Sequence, residues 1–226
     1  MKFSRALAVA MTLSLLLALR AADGLPQREL DAARDACARL AALLANGLAK
    51  SLAEDGPGYA LEICSHQAPA VTAFASKESG MEIRRTSLRV RNPKNAPDDW
   101  ERSVLEQFET RRAAGEPVES LEQSEVVPGE GGLRVLRYMK AIPTQAMCLQ
   151  CHGSEPAPDV VQALPGLYPG DKAVGFYEGD IRGAFSVRKA LAELAPSASA
   201  PGTTPKTSSA KVPEAPAAAP STQPPR

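Results

Sequence analysis

The pentapeptide Cys148-Leu149-Gln150-Cys151-His152 constrains this chain more than any other stretch, because past His152 the sequence contains no further His, Met or Cys. Two thiols and an adjacent imidazole at this spacing fit a covalent haem hook, a redox dithiol or half of a zinc site. If a metal sits on His152, its second protein ligand lies upstream.

Each chemistry makes its own demand. In a haem hook the thiols add across the two vinyl groups, the two-residue spacer lets both sulfurs reach one edge of the macrocycle, and the His falls under the iron. A thioredoxin-like dithiol wants the motif at a helix N-terminus in a strand-helix-strand unit; here a strand precedes it and Gly153-Ser154-Glu155-Pro156 follows. Zinc would take Cys64, His66, Cys148 and Cys151 as tetrahedral ligands and leave His152 unexplained. Two disulfides among Cys37, Cys64, Cys148 and Cys151 are the plain alternative in an oxidising compartment. Only the haem reading uses all three residues of the motif.

That compartment follows from the N-terminus. Lys2 and Arg5 precede an uncharged run, Ala6 to Leu19, and small residues follow at 21 and 22, which is the pattern of a signal peptide over 1–22. The run is short for a membrane span, so cleavage is expected, with retention as an N-terminal anchor the alternative. Residues 196–226 are rich in Pro, Ala, Ser and Thr and poor in large apolar residues, and are expected to be a disordered tail. Residues 23–195 are long enough for one domain with its own core. The formal net charge is zero, which gives no reason to expect nucleic acid as a partner.

Within that domain, Pro26 opens a long helix with Leu30, Ala33, Cys37, Leu40, Leu44 and Leu48 on one stripe; Cys37 is expected to be core. Glu54-Asp55-Gly56-Pro57-Gly58 ends it. A second helix carries Leu61, Cys64 and Ala68, with a break expected at Pro69. Met81 to Arg91 reads as a strand, and Asn92, Pro93 and Pro97 as turn formers. Asp98 and Glu101 make a capping box for a helix bearing Trp100, Val104, Leu105 and Phe108. Strands follow at about 120–127 and 133–142, and AVGFYEGDIRGAFSV reads as a hairpin turning at Glu178-Gly179-Asp180. The expected class is α+β: an antiparallel sheet flanked by helices, with a long N-terminal helix.

The upstream candidates for a second iron ligand are Cys64, His66, Met81, Met139 and Met147. Met147 abuts the hook, and Met81 and Met139 read as core. Cys64 and His66 are two positions apart on a helix, about 200° of rotation, so only one faces the iron. Cys64 shares the stripe of Leu61 and Ala68 and is preferred, with His66 the alternative. A thiolate ligand stabilises ferric iron and implies a low reduction potential.

The stretches ALEICSHQAPAV, IRRTSLRVRNPKNAPDDWE, LRYMKAIPT, CLQCHG and YPGDKAVGFYEGDIRGAFSV resemble, in this order, the PAS-like c-type haem-binding domain family of exported cytochromes and sensor ectodomains. The resemblance implies a PAS-like sheet, one covalent haem c per chain, His152 as proximal ligand and Cys64 as distal ligand. Members are often fused to signalling modules; here the Pro/Ala-rich segment stands in their place, so no kinase is expected in cis. Among the arginines of the matched stretches, Arg84, Arg85, Arg89 and Arg91 are candidates for pairing with haem propionates, a match of guanidinium and carboxylate geometry. Tyr138 and Tyr168 are candidates for lining the pocket.

The expected function is a periplasmic monohaem cytochrome acting in electron transfer or redox sensing with an unidentified partner protein. Enzymatic activity is not expected, since no second titratable group is placed to assist peroxide cleavage. The alternative is a haem-based sensor in which a diatomic gas displaces the distal ligand.

Overall fold

The computed structural model describes residues 26–191; the expected signal peptide and C-terminal tail lie outside the described residues. Helix α1, Gln27–Ser79, is interrupted at Gly56, whose φ of 79° and ψ of 176° are not helical. The turn expected at 54–58 is therefore a break of one residue, at the position where only glycine takes positive φ without strain. Both arms serve one core. Leu30, Ala33, Cys37 and Leu40 from the first arm cluster with Ala75 from the second, and the partly buried Leu44 and Val71 pack against them.

No break occurs at Pro69, contrary to expectation. Pro69 is exposed while Ala68 and Ala75 are buried, so the missing N–H falls on the solvent side and packing of the other face carries the helix through. The Thr72 hydroxyl donates to the Ala68 carbonyl at 2.8 Å, within the same turn. Gly80, in the left-handed region, caps the helix by donating to carbonyls of its last turn.

Four strands form one antiparallel sheet: β1 (Glu82–Thr86), β2 (Glu122–Pro128), β3 (Arg134–Pro143) and β4 (Ile181–Leu191), in the order β1-β4-β3-β2. Tyr138 stands opposite Val187 and Ser124, and Ile83 opposite Val187. Strand alternation then sends residues to two separate cores. Ile83, Tyr138, Phe185 and Val187 meet α1, whereas Met139, Ala141 and Ala184 meet Val104, Leu105 and Phe108 of α2, Asp99–Ala113. The Asp98–Glu101 capping box is present, each side chain accepting from the other's backbone N–H. The class is α+β, with the sheet covered on both faces.

Two expected strands are shorter than the pattern suggested. β1 stops at Thr86 instead of reaching Arg91, because the Ser87 hydroxyl bonds Arg89 and the Arg182 carbonyl and turns the chain out of the sheet. The segment before β4 forms no hairpin arm, since its backbone groups are engaged elsewhere, as described below. β1 and β3 both end, and β4 begins, at the same end of the sheet. The Cys-x-x-Cys-His motif leaves the sheet at that end, directly after β3.

Candidate functional site around the Cys-x-x-Cys-His segment

After Pro143 the chain makes a short 3-10 turn at Ala146–Cys148 and a single helical turn, α3 (Leu149–His152), before helix α4 (Pro158–Leu167). Thr144 is pinned to the turn before β4: its N–H donates to the Asp180 carbonyl at 2.8 Å and its own carbonyl accepts from Gly179 at 2.9 Å. The second arm of α1, which carries Cys64, packs on α4, and the Gly58 N–H donates to Asp159 at 2.7 Å. Sheet end, Cys-x-x-Cys-His segment and the second arm of α1 thereby come together at one place.

Every carbonyl from Cys151 to Gly153 has a fixed donor. The Arg91 guanidinium donates to Cys151 at 2.6 Å; Phe176 and Gly175 N–H groups donate to His152 and Gly153 at 2.9 and 2.8 Å. Gly153 and Phe176 form an isolated parallel bridge. The same segment reaches the side chain: His152 Nδ1 lies 2.6 Å from the Ala173 carbonyl. A carbonyl only accepts, so Nδ1 carries the proton and Nε2 keeps its lone pair, the tautomer a metal-ligating imidazole requires. Residues 173–176 are thus a clamp on the hook, which is why they form no hairpin arm.

The imidazole is also held neutral. Burial first, and then the charges of Arg182, Arg91 and Arg89, push its pKa down to about 2, against the opposing pull of the Ala173 hydrogen bond. The Phe176 ring meets it edge-on at 81°, with centroids 6.2 Å apart. Arg89 and Arg182 lie over that phenyl ring at 3.9 and 5.2 Å. Arg91 is buried and forked onto Asp171, with both contacts at 3.1 Å.

Cys64 is half-buried and His66 exposed, the division of faces expected from their spacing. Burial pushes the Cys64 thiol up, with Arg85 opposing. Burial likewise raises the Cys151 thiol, and Cys64 is among the groups acting on it electrostatically. Cys64, Arg85 and Tyr168 influence one another, so Tyr168 belongs to this site. Tyr138 does not: it is core, and its hydroxyl donates to Glu122 at 2.9 Å. Met81 and Met139 are core, as is Cys37, whose thiol burial pushes up to about 12.

Of the four candidate arginines, Arg84 is held by Glu101 and by the Lys94 and Ala96 carbonyls, and Arg91 by the clamp. Arg85 and Arg89 remain at the site. Among the described residues no three His, Cys, Asp or Glu side chains gather as a metal cluster, and the four cysteines are free thiols. One participant escaped the sequence reading: Arg182, whose alternation on a strand reads as an ordinary polar position, presents its guanidinium beside Phe176 and His152.

No curated protein matches the chain. The crystal structure of the cyanobacterial heme-protein Tll0287 has the same fold, with a TM-score of 0.54 and 24% identity over 76% of this chain and 100% of that one. The model of the Tll0287-like family matches residues 15–189, and with that match spanning most of its length the chain belongs to the Tll0287-like family.

Proposed function

We propose that the protein is an exported monohaem c-type cytochrome that carries one electron or reports redox state to a partner. Haem c attaches through Cys148 and Cys151, with His152 as proximal and Cys64 as distal ligand. The observation that carries this reading is the tautomer of His152: Nδ1 donates to Ala173 and Nε2 is left to coordinate. The heme-protein description of the related crystal structure supports it.

The site residues fit the group. When bound, haem supplies a one-electron Fe(III)/Fe(II) couple. His152 is oriented by the Ala173 carbonyl and by the edge of Phe176. Cys64 would hold the iron as a thiolate, a form that burial opposes and the Arg85 charge favours. Export is supported by the N-terminal pattern; no described helix is long and apolar enough to cross a membrane.

Two measurements test the reading. Protein expressed with the c-type maturation machinery should give a pyridine haemochrome spectrum of one covalent haem per chain; its absence refutes the assignment. Cys64→Ala should replace the ferric low-spin electron paramagnetic resonance signal by a different one, and an unchanged signal would mean that Cys64 is not a ligand. Ready formation of a carbon monoxide adduct on reduction would turn the reading from electron transfer to gas sensing.

A further inference from the structure

Four guanidinium groups, those of Arg85, Arg89, Arg91 and Arg182, lie about the Cys-x-x-Cys-His segment, and of the carboxylates that act there Asp159 is taken up by the Gly58 and Val160 N–H groups, which leaves Asp171. That carboxylate is committed to Arg91. Among the described residues Arg182 forms no ion pair of its own. Its Nε is sequestered with no hydrogen-bond partner, and Nη1 reaches only the Ser87 hydroxyl at 3.4 Å and the Arg89 carbonyl at 3.5 Å, both long. The residue as a whole is half-buried, and a guanidinium with a sequestered, unpartnered Nε is poorly compensated for leaving water. Burial and the repulsion of Arg91 accordingly push Arg182 down to about 10.

The cluster is also well placed for one occupant. Arg85 acts electrostatically on Cys64, on the α1 side of the site. The Arg182 guanidinium lies over the Phe176 ring, 5.2 Å from its centroid, and that ring meets His152 edge-on, which places Arg182 on the side of the Cys-x-x-Cys-His segment, where Arg85 acts on it. Together they bridge the distal and proximal halves. A group that spans Cys64 and His152 and carries carboxylates at its rim would satisfy both guanidiniums.

We propose that Arg182, together with Arg85, is the receptor for a haem carboxylate, an inference that rests on the haem reading above. Arg91 and Arg84 are structural, and Arg89 braces Phe176. Arg182 thus does two things: it neutralises a propionate, and it places positive charge near the iron, which favours the ferrous state.

The test uses the matured protein and the variants Arg182→Gln and Arg182→Lys. Arg182→Gln should keep its covalent haem and its low-spin ferric signal but shift the redox equilibrium towards ferric iron by roughly tenfold, the effect of one poorly screened charge. Arg182→Lys should restore most of that shift and secures the test if the Gln variant fails to fold. Wild-type haem with an unmoved potential in both variants overturns the inference and leaves the haem reading standing. A wild-type potential that moves with added inorganic phosphate as far as the Gln substitution moves it assigns the cluster to a free anion and overturns the inference too. Absence of covalent haem from the wild type overturns both.

Discussion

At the scale of single residues, the four cysteines divide by surroundings rather than by sequence. Cys37 sits among Leu40, Ala75 and Tyr138 in the core beneath α1, where a thiol behaves as a small apolar group. Cys37→Ala should therefore cost about 1 kcal/mol through lost packing. Cys37→Ser should cost about 1–3 kcal/mol more, by burying a hydroxyl with no partner. Urea unfolding measures both, and neither should alter haem content; a change would make Cys37 part of the site. Gly183 is as sharply constrained. A Cβ there would press on the Thr86 carbonyl oxygen, with Ser87 Cβ at 3.1 Å, just where β1 and β4 part. Because the obstacle is backbone and not a mobile side chain, Gly183→Ala should lose about 2–4 kcal/mol in the same experiment.

Among elements, the clamp 173–176, with Asp171 accepting from the Ala173 N–H before it, decides whether the Cys-x-x-Cys-His segment has a shape before anything binds. Arg91 is its key: one guanidinium reaches Asp171, the Cys151 carbonyl and, at 3.3 Å, the Ala173 carbonyl. A lysine at 91 keeps the charge and loses the planar fork. Arg91→Lys should lower stability by about 2–4 kcal/mol and expose the 153–176 segment to limited proteolysis; wild-type cleavage kinetics would show that the clamp holds without it. The two arms of α1, the Asp98 capping box and strands β2 and β3 were legible in the sequence, since each follows from local spacing and polarity. The clamp was not. Alternation in AVGFYEGDIRGAFSV favours a hairpin, and only the carbonyls of a distant segment, competing for the Gly175 and Phe176 N–H groups, overrule it. Arg182 was hidden for a related reason, because its contacts, the Phe176 ring, the Ser87 hydroxyl and the Arg89 carbonyl, all come from other segments of the chain. For Cys64, in contrast, helical rotation alone separated it from exposed His66.

Across the whole molecule, one residue ties the helices on both faces to the sheet. Glu122, at the start of β2, accepts from Arg34 of α1 with contacts of 2.5 to 3.2 Å and from the Tyr138 hydroxyl of β3, while its backbone carbonyl accepts from Arg111 of α2 at 3.1 Å. The Arg34 hydrogen bond holds the Glu122 carboxyl below its ordinary value, outweighing burial. At Asp98 burial would raise the carboxyl, yet the bonds from Arg137 and the Glu101 N–H prevail and lower it. A carboxyl depressed in the folded state stabilises fully above its unfolded pKa, near 4, and loses that contribution as pH falls from there towards the folded value. Melting temperature should therefore hold steady from pH 7 to about 5 and decline below about 4.5. Glu122→Gln should flatten part of that decline. At pH 7 it should cost only about 1 kcal/mol, since both partners keep a third or so of their side chains in solvent and screening weakens the pair. An equal acid slope in wild type and Glu122→Gln, by calorimetry over pH 7 to 3, would place the acid-sensitive contact elsewhere. Because the first arm of α1 reaches the sheet through this carboxylate as well as through its apolar stripe, acid should free that arm before the hook and clamp give way.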